Sequence, residues 1–401
     1  MKDLKIFTKN IEEEALKQID LLLEQEAFRN SKIRIMPDVH VGKGCVIGFT
    51  ADLGKKIVPN LIGVDISCGL LTIKLGKIDL DLAKLDEVIR EYIPYGFNVH
   101  ETKKNSFPQI KTLKCFRDLK DTKRLERSIG TLGGGNHFIE VGEDEDSNKY
   151  LVIHTGSRNL GKQVAEYYQM KADHLCNYNH AEFNQKKEIL IKEYKEQGRK
   201  TELKEALKEL TKAYKINQNI IPRDLAYLEE VYRDEYLHDM QICQEFAKLN
   251  RQTIADIICR KMNIKALESF ETVHNYIDLV SNIVRKGAIS AKKDEILLIP
   301  INMRDGCIIA KGKGNPDWNY SAPHGAGRLM SRRKAKEILI FDDFKKSMAG
   351  IYSTSVNKDT LDEAPFAYKP IEEIIENIND TAEIIKIIKP IYNFKAGEKT
   401  D

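Results

Sequence analysis

Two neighbouring stretches, GCVIGFTADLG at residues 44–54 and NLIGVDISCGLLTIKL at residues 60–75, decide the fold class of this 401-residue chain. Both consist of short segments rich in β-branched residues, and glycines interrupt each of them. Such segments are typical of strands that tight turns connect. The same texture returns at 129–161 and again at 283–332, so the sequence predicts sheets built from segments that lie far apart in the chain.

Helical patterns flank these β regions. IEEEALKQIDLLLEQEAF (11–28) and DLDLAKLDEVIREYI (79–93) place apolar residues at helical spacing, and the tail from 333 onward is expected to be mostly helical. Residues from about 162 to 262 are almost free of glycine, and many Glu and Lys there lie three or four apart, which predicts an exposed helical hairpin with ion pairs. We found no internal repeat or low-complexity linker. The sequence therefore predicts one α/β (α+β) domain over residues 1–401, with mixed sheets, glycine-rich loops and a helical insertion at about 162–262.

Composition excludes several classes of protein. The 64 basic residues nearly balance the 61 acidic ones, so any surface for a polyanion must be local. The N-terminal segment is charged and the apolar runs are short, which predicts no membrane span and a cytoplasmic location. The seven cysteines are odd in number and form no CxxC pair, which argues against a disulfide framework or a structural zinc site.

Five of the nine histidines have neighbours that suggest chemistry. His40, His137, His154, His274 and His324 lie in or beside loops rich in small residues, or at strand ends, next to other polar residues. A single histidine is usually structural or solvated. Five in such surroundings favour metal binding or acid-base work.

The segment GVDISCG (63–69) places Asp65 and Cys68 three residues apart between glycines. A carboxylate and a thiolate could converge there on one ion. Thiolate ligands suit zinc, whereas a carboxylate and neutral imidazoles tolerate manganese or magnesium as well. The alternative is an aspartate in a turn beside a small buried cysteine.

Two further glycine loops carry polar residues. GGGNHFIE (133–140) places Asn136 and His137 after three glycines and Glu140 on the following strand, where backbone N–H groups could approach a phosphate. VIHTGSRNLG (152–161) ends a strand at His154 and places Arg158 in the next loop as a donor to phosphate. A plain turn and a solvated arginine are the alternatives.

The segment SAPHGAGRLMSRRKA (321–335) is the most informative. His324 stands between a proline and a glycine, small residues follow it, and several arginines begin a basic helix face. A neutral imidazole nitrogen can attack phosphorus, and arginines can offset the charge of phosphates. A nucleic-acid-binding helix with a structural histidine would explain the arginines but not PHGAG.

Taken together, these motifs resemble the RtcB family of RNA ligases. The resemblance rests on MPDVHVGKG (36–44), GVDISCG, GGGNHFIE, VIHTGSRNLG, the HN of VHNYID, RKGA, PHGAGRLMSR and the lysine of FKAG. They occur in the family's order and span nearly the whole chain.

The resemblance implies a family-specific catalytic fold with two Mn²⁺ ions and GTP as cosubstrate. Cys68 would bridge the two ions, with Asp65 and His137 completing one site and His154 and His274 the other. His324 would be the catalytic nucleophile that attacks the α-phosphorus of GTP and becomes covalently linked to GMP.

The implied binding residues form two groups. Those for GTP or GMP are Asn136, Glu140, His274, Asn275, Asn302, Met303, Asp305, His324, Gly325, Ala326, Gly327 and Lys395. Those for RNA phosphates are Arg158, Lys286, Arg328 and Arg332. The loop from Pro300 to Cys307 departs from the family's usual Gly-Ser-Met-Gly pattern, which places the details of guanine binding and the natural RNA in question.

The implied reaction joins an RNA 3′-phosphate or 2′,3′-cyclic phosphate end to a 5′-hydroxyl end, in tRNA splicing or RNA repair. Three alternatives stay open at this point. They are a metal-dependent RNA-end phosphatase or cyclic phosphodiesterase, a ligase specialised for another RNA such as cleaved ribosomal RNA, and a non-catalytic RNA-binding protein.

Overall fold

A computed structural model describes residues 3–177, 180–199, 201–216 and 221–396 of the chain. The strands in chain order are β1 (Asp3–Ile6), β2 (Lys32–His40), β3 (Ile47–Asp52), β4 (Gly69–Gly76), β5 (Phe138–Glu143), β6 (Lys149–Thr155), β7 (Glu268–Val273), β8 (Tyr276–Asp278), β9 (Ile283–Lys286), β10 (Ala288–Ser290), β11 (Ile296–Asn302), β12 (Gly306–Gly312), β13 (Ser321–Pro323) and β14 (Ala382–Lys395).

Helices separate and cover the strands. They are α1 (Glu13–Glu24), α2 (Leu82–Tyr92), α3 (Thr122–Arg127), α4 (Arg158–Asn177), α5 (His180–Glu196), α6 (Leu203–Ile216), α7 (Glu230–Met262), α8 (Arg332–Ile338), α9 (Phe341–Ser347) and α10 (Ile371–Ile378). The predicted α/β class with mixed sheets is confirmed. Among the described residues, no helix is both long enough and apolar enough to cross a membrane.

Three sheets form the framework. The largest has seven strands in the order β11-β12-β14-β5-β6-β4-β7, a second has five in the order β1-β2-β3-β9-β8, and β10 pairs with β13 in a short third sheet. The seven-stranded sheet is antiparallel throughout, and the one parallel pairing among the described strands joins β1 to β2. Strands from distant parts of the sequence are therefore neighbours, as the repeated glycine-punctuated segments predict.

The C-terminal segment differs from the prediction. The tail was expected to be mostly helical, but its last described element is the 14-residue strand β14, which lies between β12 and β5 inside the large sheet. The run AEIIKIIKPIYNFK is rich in isoleucine, a β-branched residue that favours strands. This strand carries Asn393 and Lys395 into the interior.

Helix α7 is more than part of a surface insertion. Helices α5 and α6 contact each other and account for the helical hairpin, but 14 of the 33 residues of α7 are buried. The Asn250 side chain accepts hydrogen bonds from the backbone N–H groups of Gly130 and Thr131, at 2.7 and 3.0 Å. Arg251 donates to the carbonyls of Ser67 and Thr155, at 2.9 and 3.0 Å. The end of the predicted insertion therefore fixes the loops on which the polar motifs lie.

Antiparallel pairing explains why those motifs meet. Strands β5 and β4 begin at the edge of the sheet where β6 and β7 end, because neighbouring strands run in opposite directions. Residues just before β4 and β5, and residues at the ends of β6 and β7, must lie side by side. This edge carries Cys68, His137, His154 and His274.

Candidate metal and nucleotide site

Five predicted ligands lie together at this sheet edge. The Cys68 Sγ lies 3.3 Å from Nε2 of His137 and 3.3 Å from Nε2 of His154. His154 Nε2 is 3.1 Å from Nε2 of His274, and His137 Nε2 is 2.9 Å from Oδ2 of Asp65. The donor atoms form two groups, one of Asp65, Cys68 and His137 and the other of Cys68, His154 and His274. Cys68 belongs to both.

The chemistry of these donors fits two metal ions. Metal–ligand distances of about 2.0–2.3 Å would let one ion reach neighbouring donors that are 2.9–3.3 Å apart. His137 donates from Nδ1 to the Leu132 carbonyl at 2.9 Å, which leaves its Nε2 free to ligate an ion. Asp65 Oδ1 is buried and has no hydrogen-bond partner among the described residues. A cation would satisfy such an oxygen.

Burial keeps the Cys68 thiol and the His154 and His274 imidazoles neutral when no ion is bound. It raises the pKa of the Cys68 thiol well above its usual value, and the neighbouring Asp65 carboxylate adds to this effect. Burial also lowers the pKa values of His154 and His274, and the nearby histidines contribute to the decrease. Burial opposes ionisation of Asp65 too, but its contact with His137 lowers the pKa of that carboxyl. Neutral imidazoles are the form that binds a metal.

Two glycines allow the loops to approach this closely. A Cβ on Gly156 would lie 2.3 Å from Oδ1 of Asp65, and a Cβ on Gly133 would lie 1.8 Å from a guanidinium nitrogen of Arg158. Gly133 also has a positive φ of 86°. Both positions therefore require glycine, for space in one case and for space and backbone conformation in the other.

His324 lies beside the second ligand group without joining it. Its ring centroid is 4.8 Å from that of His274. Its Nδ1 lies 2.6 Å from Oδ2 of Asp38, and the same oxygen accepts the His324 backbone N–H at 3.0 Å. Asp38 is fully buried on β2. Because a carboxylate accepts the Nδ1 proton, Nε2 is left as the nucleophilic nitrogen.

A cavity of about 290 Å³ opens beside His324. The predicted nucleotide residues that line it are Asn136, Glu140, Asn302, Met303, His324, Gly325, Ala326, Gly327 and Lys395. His40 lines it as well, with its Nδ1 donating to the Asp38 carbonyl at 2.9 Å. The cavity is large enough for part of a nucleotide, and His154 of the second ligand group borders it.

The buried carboxylate of Glu363 forms ion pairs with three cationic side chains on one wall of this cavity. Glu363 pairs with Arg328 at 3.2 Å, with Arg332 at 2.8 Å and with Lys395, and it accepts a hydrogen bond from the Tyr368 hydroxyl at 2.8 Å. Burial alone would raise the pKa of Glu363, but Lys395, Arg332 and Arg328 lower it to about 2. Asp362 also pairs with Arg332, at 2.7 Å, so the three cations face two carboxylates and leave this wall with one positive charge for a phosphate.

The cavity also holds a second buried acid. Glu140 Oε2 accepts a hydrogen bond from the Asn393 amide at 2.8 Å, and Cys307 Sγ lies 3.4 Å from Oε1. Burial raises the pKa of Glu140 to about 7, despite the opposing effects of those two contacts and of Lys395. The carboxyl is therefore protonated in mildly acidic solution and can then act as a hydrogen-bond donor.

This pKa predicts a pH-dependent stability. Between its ordinary pKa of 4.5 and about 7, Glu140 is protonated when folded and ionised when unfolded, so stability falls as pH rises through this window. We expect Glu140→Gln, which resembles the protonated acid, to gain stability over wild type across that window by up to about 3 kcal/mol. Urea unfolding at a series of pH values measures this difference. Glu268→Gln, at an exposed position, is the control, and a Glu140→Gln difference that is flat with pH would contradict the prediction.

Other predicted residues lie outside the cavity. The Asn275 side chain accepts the Gly287 backbone N–H at 2.8 Å and so joins two loops. Asp305 accepts a hydrogen bond from the Asn302 amide at 2.8 Å and forms an ion pair with Arg304. His274 is placed with the metal ligands.

The four arginines and lysines predicted to contact RNA phosphates have different surroundings. Arg328 and Arg332 line the cavity beside His324, whereas Arg158 lines a separate groove near Asp65. The structure contradicts the prediction that Lys286 contacts an RNA phosphate. Its side chain is 2% exposed, and its ammonium donates to the carbonyls of Lys43 and Cys45. Those bonds hold the loop after β2 and keep Lys286 away from any external phosphate.

Comparison with known proteins shows the family of this chain. The family model described as tRNA-splicing ligase RtcB matches residues 25–118 and 115–396. The chain belongs to the RtcB family. It is 29% identical to the RNA-splicing ligase RtcB of Escherichia coli (strain K12), over 98% of this chain and 97% of that protein. It is 26% identical to the tRNA-splicing ligase RtcB of Aeropyrum pernix, over 85% of this chain and 83% of that protein, and 23% identical to the RNA-splicing ligase RtcB2 of another Escherichia coli strain.

Sequence reasoning on this RtcB family member missed several residues of the site. The sequence predicts no role for Asp38 beyond its place in the motif MPDVHVGKG. It predicts no function for the segment that contains Glu363 and Tyr368. Asp38 could have been found from its place two residues before His40, in the one early segment that joins a carboxylate and a histidine to glycines. Glu363 gave no such signal, since its role depends on cations from other parts of the chain.

Proposed function

We propose that this protein is a GTP-dependent RNA ligase that joins RNA 3′-phosphate or 2′,3′-cyclic phosphate ends to 5′-hydroxyl ends through a histidine–GMP intermediate. The observation that carries the proposal is His324, which Asp38 holds through Nδ1 so that Nε2 is free, beside the two ligand groups and a cavity that can hold part of a nucleotide. Membership of the RtcB family and the names of the relatives support RNA as the substrate.

The first step would occur entirely on His324. Its Nε2 attacks the α-phosphorus of GTP, a P–N bond forms, and the bond to the oxygen bridging the α- and β-phosphorus atoms breaks, so that pyrophosphate leaves. Asp38 holds the imidazole in the tautomer that presents Nε2 and stabilises the positive charge that develops on the ring. Arg328 and Arg332 would bind the phosphates.

The later steps transfer GMP to RNA. An oxygen of the RNA 3′-phosphate attacks the phosphorus of histidine–GMP, which breaks the P–N bond and restores the imidazole. The 5′-hydroxyl of the second RNA end then attacks the activated 3′-phosphate, loses its proton and expels GMP. A 2′,3′-cyclic phosphate must first be opened by water to the 3′-phosphate.

Two Mn²⁺ ions are the proposed cofactors. Asp65, Cys68 and His137 would hold one ion, and Cys68, His154 and His274 the other. Bound there, the ions would polarise phosphate oxygens and offset their charge. One soft bridging thiolate among imidazoles and a carboxylate tolerates Mn²⁺ as well as Zn²⁺, so the identity of the ion is a proposal. The cytoplasmic location stays a prediction.

The guanine would occupy the cavity beside His324. Asn136, Glu140, Asn302 and Lys395 supply polar atoms to its wall, and the small Gly325, Ala326 and Gly327 leave the approach to His324 open. A proton on Glu140 would add a donor to this wall. Incubation with GTP labelled in the α-phosphate and with Mn²⁺ tests the proposal, which expects acid-labile GMP on the protein.

Asp38 gives a test of how His324 is positioned. We expect Asp38→Asn to slow transfer of GMP to the protein on the order of 10²-fold, because the amide no longer fixes the reactive tautomer. Metal content and GTP affinity should stay near those of wild type, since Asp38 belongs to neither ligand group. A single-turnover assay with labelled GTP measures the rate, and an unchanged rate would remove Asp38 from the mechanism.

A phosphatase or cyclic phosphodiesterase is the second candidate. The two ligand groups alone would serve such an enzyme, and the altered loop from Pro300 to Cys307 borders the cavity. Such an enzyme needs no nucleophilic imidazole, since a water activated by the metal ions could attack the phosphorus. The same labelling experiment separates the two, because a phosphatase forms no protein-bound GMP.

A further inference from the structure

A groove of about 960 Å³ borders the first ligand group. Asp65 and Arg158 line it, and Lys395 lines both the groove and the cavity. The two spaces therefore adjoin each other at Lys395, and each is bordered by a member of a ligand group, Asp65 in the groove and His154 in the cavity. A second substrate could reach the same reacting atoms from the groove while a nucleotide occupies the cavity.

Phe97 is an unusual residue in the wall of this groove. Its side chain is 93% exposed to solvent, as judged from the described part of the chain. An aromatic ring so exposed contributes little to folding, since it removes almost no apolar surface from water. Exposed aromatic rings in a groove are a feature of sites that bind unpaired bases.

The backbone that carries Phe97 is tied to the active-site loops. The Gly96 N–H donates to the Gly133 carbonyl at 2.9 Å, and Arg158 donates to the Gly96 carbonyl at 3.3 Å. The Arg124 guanidinium donates to the carbonyl of Phe97 itself. Gly133 begins the loop that leads to His137, so the position of the aromatic residue is coupled to that of a metal ligand. A platform fixed in this way needs little ordering when a ligand binds.

The charges of the groove match a phosphodiester chain. Five cationic side chains line it, Arg90, Arg124, Arg158, Lys162 and Lys395, against two acidic ones, Asp65 and Asp359. Four of the cations already have acidic neighbours: Arg90 pairs with Asp86, Lys162 with Glu166 at 3.9 Å and Lys395 with Glu363, and the side chain of Asp65 is close enough to Arg158 to affect its pKa. Arg124 is half-buried and Lys162 is exposed, and the Glu166 partner of Lys162 is itself 47% exposed, so both cations can bind phosphates without leaving a buried acid unpaired.

We propose that this groove binds the unpaired nucleotides next to the reacting end of an RNA strand, and that Phe97 stacks against one of their bases. The inference rests on the proposed function for its choice of RNA, and it adds a requirement that the end be single-stranded. A base in a duplex has no free face for Phe97, so the groove selects ends with at least a short unpaired segment.

Binding of a single-stranded RNA of about 12 nucleotides that carries a 3′-phosphate tests the proposal. The protein is loaded with Mn²⁺, GTP is omitted, and fluorescence anisotropy gives the Kd. We expect Phe97→Ala to raise Kd roughly tenfold, which corresponds to the loss of one stacked base. Phe97→Trp should keep the wild-type Kd. Phe366→Ala, which removes a 41% exposed ring outside the groove, is the control and should change nothing.

Abasic substitutions in the RNA make the test independent of the folding of any variant. One abasic nucleotide, near the reacting end, should weaken binding to wild type by a similar factor and should have no further effect on Phe97→Ala. Equal affinity of wild type and Phe97→Ala, or abasic effects that are the same in both proteins, would overturn the proposal. Labelling by GTP is measured on the same samples: if labelling fails while the Phe97 effect is present, the ligase proposal fails and the groove assignment stands.

Discussion

Replacement of His324 by alanine is expected to abolish covalent labelling of the protein by GTP, with a decrease of at least about 10³-fold. Among the described residues no other imidazole is equally well placed, because the Nε2 atoms of His137, His154 and His274 belong to the ligand groups. His40 lines the same cavity, but its Nδ1 is bonded to a neutral carbonyl rather than to a carboxylate, and burial lowers its pKa to about 4, which makes its Nε2 a weaker nucleophile. Gel detection of the label after GTP and Mn²⁺ treatment, with and without acid, measures the effect.

The control for this variant is His238→Ala. His238 lies on α7 with 41% of its side chain exposed, so its loss should leave labelling unchanged. Metal content of His324→Ala should equal that of wild type, which separates loss of the nucleophile from loss of the site. Wild-type protein that stays unlabelled while it removes phosphates from RNA ends would refute the ligase assignment and favour the phosphatase.

Replacement of Cys68 by alanine is expected to remove metal from both sites and to reduce ligation below detection. The Cys68 Sγ lies 3.3 Å from a donor atom in each group and belongs to both. His137→Ala should lose chiefly one ion per chain, because His137 belongs to one group alone. Elemental analysis after dialysis measures the manganese that each protein retains.

A matched control separates coordination from packing. Cys243 is fully buried on α7 and belongs to neither ligand group, so Cys243→Ala removes a thiol of similar burial without touching the site. It should keep the metal content of wild type. Equal metal content in wild type, Cys68→Ala and His137→Ala would rule out the bridging role of Cys68.

The two variants together distinguish the candidate functions. A ligase needs both residues, whereas a metal-dependent phosphatase needs Cys68 and not His324. A protein that only binds RNA needs neither, and its affinity should depend on the groove that contains Phe97 and Arg124. GTP labelling of His324→Ala, metal content and activity of Cys68→Ala, and RNA binding by groove variants therefore give different results for a ligase, a phosphatase and an RNA-binding protein.

Most of the site residues could be predicted from the sequence because they lie in short motifs with local geometry. GVDISCG and PHGAG place their functional side chains beside glycines or a proline, where the backbone must turn or approach a neighbour closely. The predicted ligands Asp65, Cys68, His137, His154 and His274 lie together at one sheet edge. The family resemblance implies their division into two sets that share Cys68, and the distances between their donor atoms agree with that division.

The partners of these residues could not be predicted in the same way. Asp38 and His324 are hydrogen-bonded although they lie 286 positions apart in the sequence. Glu363 pairs with Lys395, which lies on a strand in the tail that the sequence predicts to be mostly helical. Asn250 and Arg251 looked like parts of a surface helix, yet they hold the loops of Cys68 and His137. Lys286 looked like a phosphate ligand, yet it binds backbone carbonyls inside the protein.

The sequence by itself determined the chemical groups of this protein, its α/β class and the turns on which those groups lie, because local backbone constraints leave a direct trace in glycines, prolines and periodic apolar residues. The tertiary structure alone decided which nitrogen of His324 is free, which carboxylate holds it, and how one cavity and one groove meet at the ligands. Those features depend on side chains that antiparallel pairing brings together from distant segments, and such contacts leave no periodic signal in the chain.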